Sequence, residues 1–228
     1  MGDGSALLFA LFAVAAVGAA VWQWRARQRR LEGFKLVASR LGLRHSATDP
    51  FGILDEPFEL LSRGDGRGVE HVLSGEWQGM PVRAFDYWYY DESTDSKGHT
   101  SRSYRRFSCA MTPIDAACSP VSVSPENVLT RLADVLTFRD IEFESEAFNR
   151  AWNVRSDDAA FAHALLDARM IEWLLAEGSS CAFEVVGDRV LVSSARLDPA
   201  AIPSLLATAK AFRERIPRVV FDLYPKDR

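Results

Sequence analysis

Apolar positions follow three rhythms along this chain, and each predicts a different element. The first is continuous: residues 6–24 (ALLFALFAVAAVGAAVWQW) form one apolar run. As a helix rising ~1.5 Å per residue it reaches ~28 Å, close to the ~30 Å hydrocarbon core of a bilayer. The second has a helical period. Phe34, Val37, Ala38 and Leu41 share one face and Gly42 is a natural C-cap, so the helix is predicted to continue through the basic stretch to Leu41. The third alternates. Val69 to Trp77 and Met80 to Tyr90 flank Gln78-Gly79, an antiparallel hairpin in which Arg83, Phe85, Tyr87 and Tyr89 alternate with Val82, Ala84, Asp86 and Trp88.

Other elements follow from punctuation. Residues 45–68 are rich in Gly, Pro, Asp and Ser and read as a loop, as does the polar stretch 91–103, a mobile hairpin loop before a strand over Tyr104 to Thr112. Ser124-Pro125-Glu126 starts a helix to about Phe138. Ile141 to Val154 is largely extended, and Ser156 or Asp157 caps a long helix over 158–176, ended by Gly178. Cys181 to Val186 and Arg189 to Ser194 form a hairpin over Gly187-Asp188, and Asp198-Pro199 begins a last helix to about Arg215. Each half thus reads as helix, hairpin, helix, a weak internal pseudo-repeat.

The expected fold class is α+β: an N-terminal transmembrane helix followed by a cytoplasmic domain of antiparallel hairpins packed with helices. The organisation is an extracytoplasmic N-terminus (1–5), the span (6–24), a basic juxtamembrane helix (25–42), a loop-rich linker (43–68) and a globular domain (69–228).

Charge sets the expected orientation. Met1 to Ser5 carry no positive side chain, whereas Arg25, Arg27, Arg29 and Arg30 follow the apolar run, which disfavours a cleavable signal and keeps the arginine side cytoplasmic. No lipidation motif is present. Trp22 and Trp24 sit where amphipathic aromatics favour the membrane interface, beside Arg25, Arg27, Arg29 and Arg30. The expectation is a single-pass cell-membrane protein with the bilayer as partner through residues 6–24. The chain has net charge −4, and the domain is more acidic still once the arginine cluster is set aside, which excludes a nucleic-acid partner.

No residue pattern announces chemistry. Cys109, Cys118 and Cys181 lack metal or disulfide spacing and read as buried thiols. His163 and Asp167 lie one helical turn apart without a nucleophile, and Gly64 to Gly68 is glycine-rich without the rest of a phosphate loop. No catalytic residue, cofactor or metal site is predicted. Two candidate surfaces remain. Tyr87, Trp88, Tyr89 and Tyr90 place aromatics on both faces of one strand, the composition interfaces favour, so either a protein partner or self-association is expected there, or a sheet covered on both sides by helices. Asp140, Glu142, Glu144 and Glu146 form an acidic ridge whose ~6.5 Å spacing is too wide for one shared ion. Asn149, within Phe148, Trp152 and Val154, is expected to lock that segment by satisfying its amide.

Two stretches carry a resemblance: Gly75 to Tyr87, with the spacing G-x-x-x-G-x-x-V-x-x-F-x-Y, and Ile141 to Val154, with E-S-x-x-F-N-x-x-W-x-V. They resemble a family of uncharacterised bacterial single-span membrane-anchored proteins with a domain of unknown function, which implies no activity or catalytic residue. The expected function is an interaction or assembly domain tethered at the inner membrane. The alternative is a membrane-associated enzyme, or a small-ligand or cation sensor, with a site assembled from distant residues.

Overall fold

One strand of 26 residues, β4 (Thr100–Pro125), is the spine to which most of the sheet attaches in a computed structural model that describes residues 3–126, 139–177 and 180–226. Side chains are described from residue 11 on, except at 139 and 177. β1 (Arg44–Ser46), β2 (Gly66–Trp77), β3 (Met80–Thr94), β4, β6 (Trp152–Ser156) and β5 (Arg139–Asp140) follow one another across an antiparallel sheet, and β7 (Ala182–Ala195) also pairs with β4. β2 and β3 meet at Gln78 (φ 50°) and Gly79 (φ 77°), the doubly left-handed turn that suits the twist of a tight hairpin.

The helices are α1 (Asp3–Leu41), α2 (Glu146–Ala151), α3 (Ala159–Leu165), α4 (Ala168–Glu177), α5 (Ile202–Arg215) and α6 (Arg218–Leu223). Phe34, Val37 and Ala38 of α1 join Phe161, Leu165, Leu174, Leu206 and Phe212 in a core against one sheet face. α1 stops at Leu41 because Gly42 takes φ 69°, and Leu43 N–H donates back to the Ala38 carbonyl at 2.9 Å. That bond closes a Schellman-type cap.

The second sheet face is covered by residues 49–63. Ile53, Phe58, Leu60 and Leu61 are buried against Phe85, Tyr87, Tyr89, Cys109 and Leu191. Two short 3₁₀ turns, Ile53–Asp55 and Leu60–Ser62, make up this cover, so the segment has no helical or strand periodicity to read. The Glu184 carboxylate holds it down by accepting from Glu59 N–H (2.6 Å) and Leu60 N–H (3.1 Å).

Several expected elements change. β3 and β4 run on to Thr94 and from Thr100, because Ser93 with Ser101 and Thr94 with Thr100 hydrogen-bond across the polar stretch expected to be mobile. Gly187-Asp188 is no hairpin. Both sides of Gly187 pair with β4, from Val123↔Phe183 to Phe107↔Ala195, so its positive φ lies inside one long strand, opposite the irregular register of β4 between Pro113 and Val121, and the pseudo-repeat disappears. The helix over 158–176 is two helices: Asp158 caps the first through Phe161 N–H, and Asp167 caps the second through Met170 N–H. α2 interrupts the extended reading of 141–154 from its cap at Ser145. The helix expected to about Phe138 lies mostly in 127–138, outside the described residues.

The membrane span is corrected as well. Among the described residues no helix is long and apolar enough to cross a membrane. Residues 6–10 of the expected span lie outside the described side chains. The transmembrane helix over 6–24, the single-pass topology with its N-terminus outside, and the bilayer as partner are therefore not supported.

Candidate functional site

Arg30, expected at a lipid surface, is folded into the domain. Its Nε and Nη2 donate to the two carboxylate oxygens of Asp86 at 2.5 and 2.7 Å, and its Nη1 donates to the Leu197 carbonyl at 2.8 Å. Ser108 Oγ donates to Asp86 Oδ1 at 3.1 Å and accepts from Leu197 N–H at 3.0 Å. α1 can lie this close because residue 33 is glycine: a Cβ there would sit 3.0 Å from Pro199 Cβ and Cγ.

Beside this clamp, α1 and the turn after β7 enclose a cleft of about 530 Å³. Arg25, Arg29, Arg30 and Arg196 line it with Asp198, and Val21, Trp22 and Pro199 supply its apolar part. Arg196 lies 3.6 Å from Asp86. Burial, then the nearby Arg30 charge, pulls the Arg196 guanidinium below its ordinary value, while Asp86 pushes it up. A guanidinium remains protonated at neutral pH, so the charges accumulate. Arg25 and Arg29 make no ion pair with any described residue, and the cleft keeps a positive excess suited to an anion.

The β3–β4 hairpin adjoins the cleft at Arg196. Arg196 N–H donates to the Arg106 carbonyl at 3.2 Å, and the Arg106 guanidinium lies 5.7 Å over the Tyr104 ring. Tyr104 meets Tyr90 at 5.2 Å and Trp88 at 5.9 Å, with Arg102 4.8 Å over Tyr90. Gly66 and Gly68 make this surface flat: a Cβ at either would strike the ring of Tyr90 or Trp88 at 2.5–2.7 Å. Tyr87 and Tyr89 point to the opposite face and are buried. Strand alternation therefore divides the four aromatics named from sequence, Tyr87, Trp88, Tyr89 and Tyr90, into two core residues and two on the platform.

The acidic residues lie elsewhere. Asp140, in β5, accepts from Asn153 Nδ2 at 3.3 Å, Glu142 and Glu144 are exposed in the turn before α2, and Glu146 begins that helix. No group of three metal-capable side chains occurs among the described residues. Asn149 holds Phe143 from both sides, Oδ1 accepting its N–H at 2.9 Å and Nδ2 donating to its carbonyl at 2.7 Å. His163 packs 4.7 Å from the Phe143 ring, while Asp167 is occupied as the cap of α4. Cys109, Cys118 and Cys181 are buried, and burial raises the Cys118 thiol to about 12.

Sequence reasoning missed Arg196 and the joint role of Arg30 and Asp86. Arg30 and Asp86 are 56 residues apart and belong to no shared period, so the sequence offered only an unexplained Asp on an apolar strand.

These features define an antiparallel α+β domain with a helix docked over a basic cleft. No protein-family model and no curated protein matches the sequence. The resemblance to single-span anchored proteins is not upheld, since no described helix is long and apolar enough to cross a membrane. The chain is similar in structure to the mycobacterial trehalose monomycolate transport factor A (TtfA), with a TM-score of 0.58 at 13% identity, over 87% of this chain and 97% of the other. At that identity the likeness carries the α+β fold alone.

Proposed function

We propose that this domain is a non-catalytic binding module for an anionic amphiphile. The acidic headgroup sits among Arg25, Arg29 and Arg196, and the apolar part lies along Val21, Trp22 and Pro199. The observation that carries the reading is the convergence of four arginines on one cleft of about 530 Å³, of which Arg30 alone is tied to a carboxylate by paired hydrogen bonds. Charge-assisted hydrogen bonds from guanidinium groups are the strongest recognition elements a protein offers an acid group. The mycobacterial protein of similar fold is named a transport factor, which favours handing a ligand on over transforming it.

Calorimetry on the full chain with dodecyl phosphate below its micelle concentration tests this, with dodecyl maltoside and inorganic phosphate as controls. Dodecyl phosphate should bind more tightly than either control. Arg196→Ala and Arg29→Ala should each weaken it about ten-fold, the weight of one charge-assisted bond. Equal binding of the maltoside, or unchanged binding by both variants, would overturn the reading.

A further inference from the structure

α4 and the turn at 143–145 enclose a second, open groove of about 720 Å³. Phe143, Leu166, Ile171 and Leu175 give it an apolar lining, while Glu144 and Glu172 charge its rim. Glu142 and Glu146 extend the same acidity along the exposed turn. Leu175 is 38% exposed, a large apolar side chain with no cover.

The N-terminal arm of α1 has the opposite character. Val17 and Trp24 are 63% and 61% exposed, and Arg25, Arg27 and Arg29 follow them. At 100° per residue, Val17, Ala20, Trp24 and Arg27 fall away from the face that lines the arginine cleft. An exposed apolar helix face with a basic end is a poor surface to leave in water. The arm does not fill the groove of its own chain, since its residues are exposed.

We infer that the arm of one copy docks into the apolar groove of a second copy. Val17 and Trp24 lie on Phe143, Ile171 and Leu175, and Arg27 meets Glu144 and Glu172. Charge complementarity selects this occupant: the groove is acidic and apolar, and the arm is basic and apolar over helical spacing, the usual form of helix-in-groove recognition. The contact is heterologous, because arm and groove are different surfaces, so each copy has one free arm and one free groove and assembly proceeds head to tail. The inference uses the outward face of the arm and is independent of the ligand proposed for the cleft.

Sedimentation velocity on the full chain, across a concentration series at low and high salt, tests it. Wild type should assemble beyond a monomer, less so at high salt. Trp24→Glu and Leu175→Glu should each be monomeric with unchanged circular dichroism. Mixed one to one, they should form a heterodimer that stops at two chains, because the Leu175→Glu copy still has an arm and the Trp24→Glu copy still has a groove. Glu172→Lys and Arg27→Glu should each weaken assembly on the order of ten-fold, and their mixture should recover it, which keeps the test decisive if Leu175→Glu fails to fold. A wild type monomeric throughout, a folded Leu175→Glu that still self-associates, or mixtures that stay monomeric would overturn the inference.

Discussion

Arg30 and Asp86 are joined by two parallel hydrogen bonds of 2.5 and 2.7 Å, across 56 residues of chain, with only 4% of the Asp86 side chain exposed. This pair ties α1 to the middle of the sheet. Arg30→Ala leaves a buried carboxylate without its main counter-charge, and breaking such a pair costs about 3–5 kcal/mol. The double variant Arg30→Ala/Asp86→Ala should lose less than the sum of the two single variants in urea melts. Strict additivity would show that the pair contributes no coupling.

Asn149 and Phe143 make the second prediction. The amide satisfies both backbone groups of Phe143, so Asn149→Ala removes two hydrogen bonds and leaves partly buried partners. The expected cost is about 2 kcal/mol, read as a lower melting temperature. An unaltered melt would mean the turn at 141–145 is held by other contacts.

Glu184 gives a pH signature. Burial, then the neighbouring Glu59 charge, raises its carboxyl to about 7, against the pull of the Leu60 and Glu59 amides. A folded-state value above the unfolded one means that the folded protein holds the proton more tightly. Its contribution is therefore full below pH ~4.5 and is lost as pH rises through about 7, by about 3 kcal/mol. Glu184→Gln should flatten the fall in stability between pH 5 and 8; a parallel curve for the variant would refute the assignment.

His45 and His71 run the other way. They stack at 5.8 Å, with Phe34 4.9 Å from His71, and His45 Nε2 and His71 Nδ1 are buried without a hydrogen-bond partner. Burial lowers both; His71 and Lys35 add to the effect at His45, and Arg30 and Arg196 add at His71 against Asp86 and Glu70. Both rings take up a proton less readily in the fold than in the unfolded chain, so their contribution is present above pH ~6.5 and lost as pH falls through the lowered values. His71→Asn, which tolerates the φ of 55° at this position, should reduce the loss of thermal stability between pH 7 and 5.

The sequence revealed some of this well. The β2–β3 turn at Gln78-Gly79, the buried stripe Phe34, Val37 and Ala38, and the stop at Gly42 are local signals, and the structure shows each residue in that setting. The cover over 49–63 was illegible because two short 3₁₀ turns leave no period, and its anchor, Glu184, is more than 120 residues away. Gly187-Asp188 misled for a different reason. A positive φ suits a turn and a bulge equally, and only the pairing of both flanks with β4 decides between them. Arg30 read as part of a lipid collar because its partners, Asp86 and Leu197, lie far along the chain.

Because α1 is unbroken from the arm to its stop at Leu41 and is gripped at Arg30, it behaves as a lever with its fulcrum at Asp86. The ~28 Å between Leu11 and Arg30 is the long side of that lever. A small tilt imposed at the tip becomes a torque on the clamp, and through Ser108 it reaches β4, the strand on which most of the sheet depends.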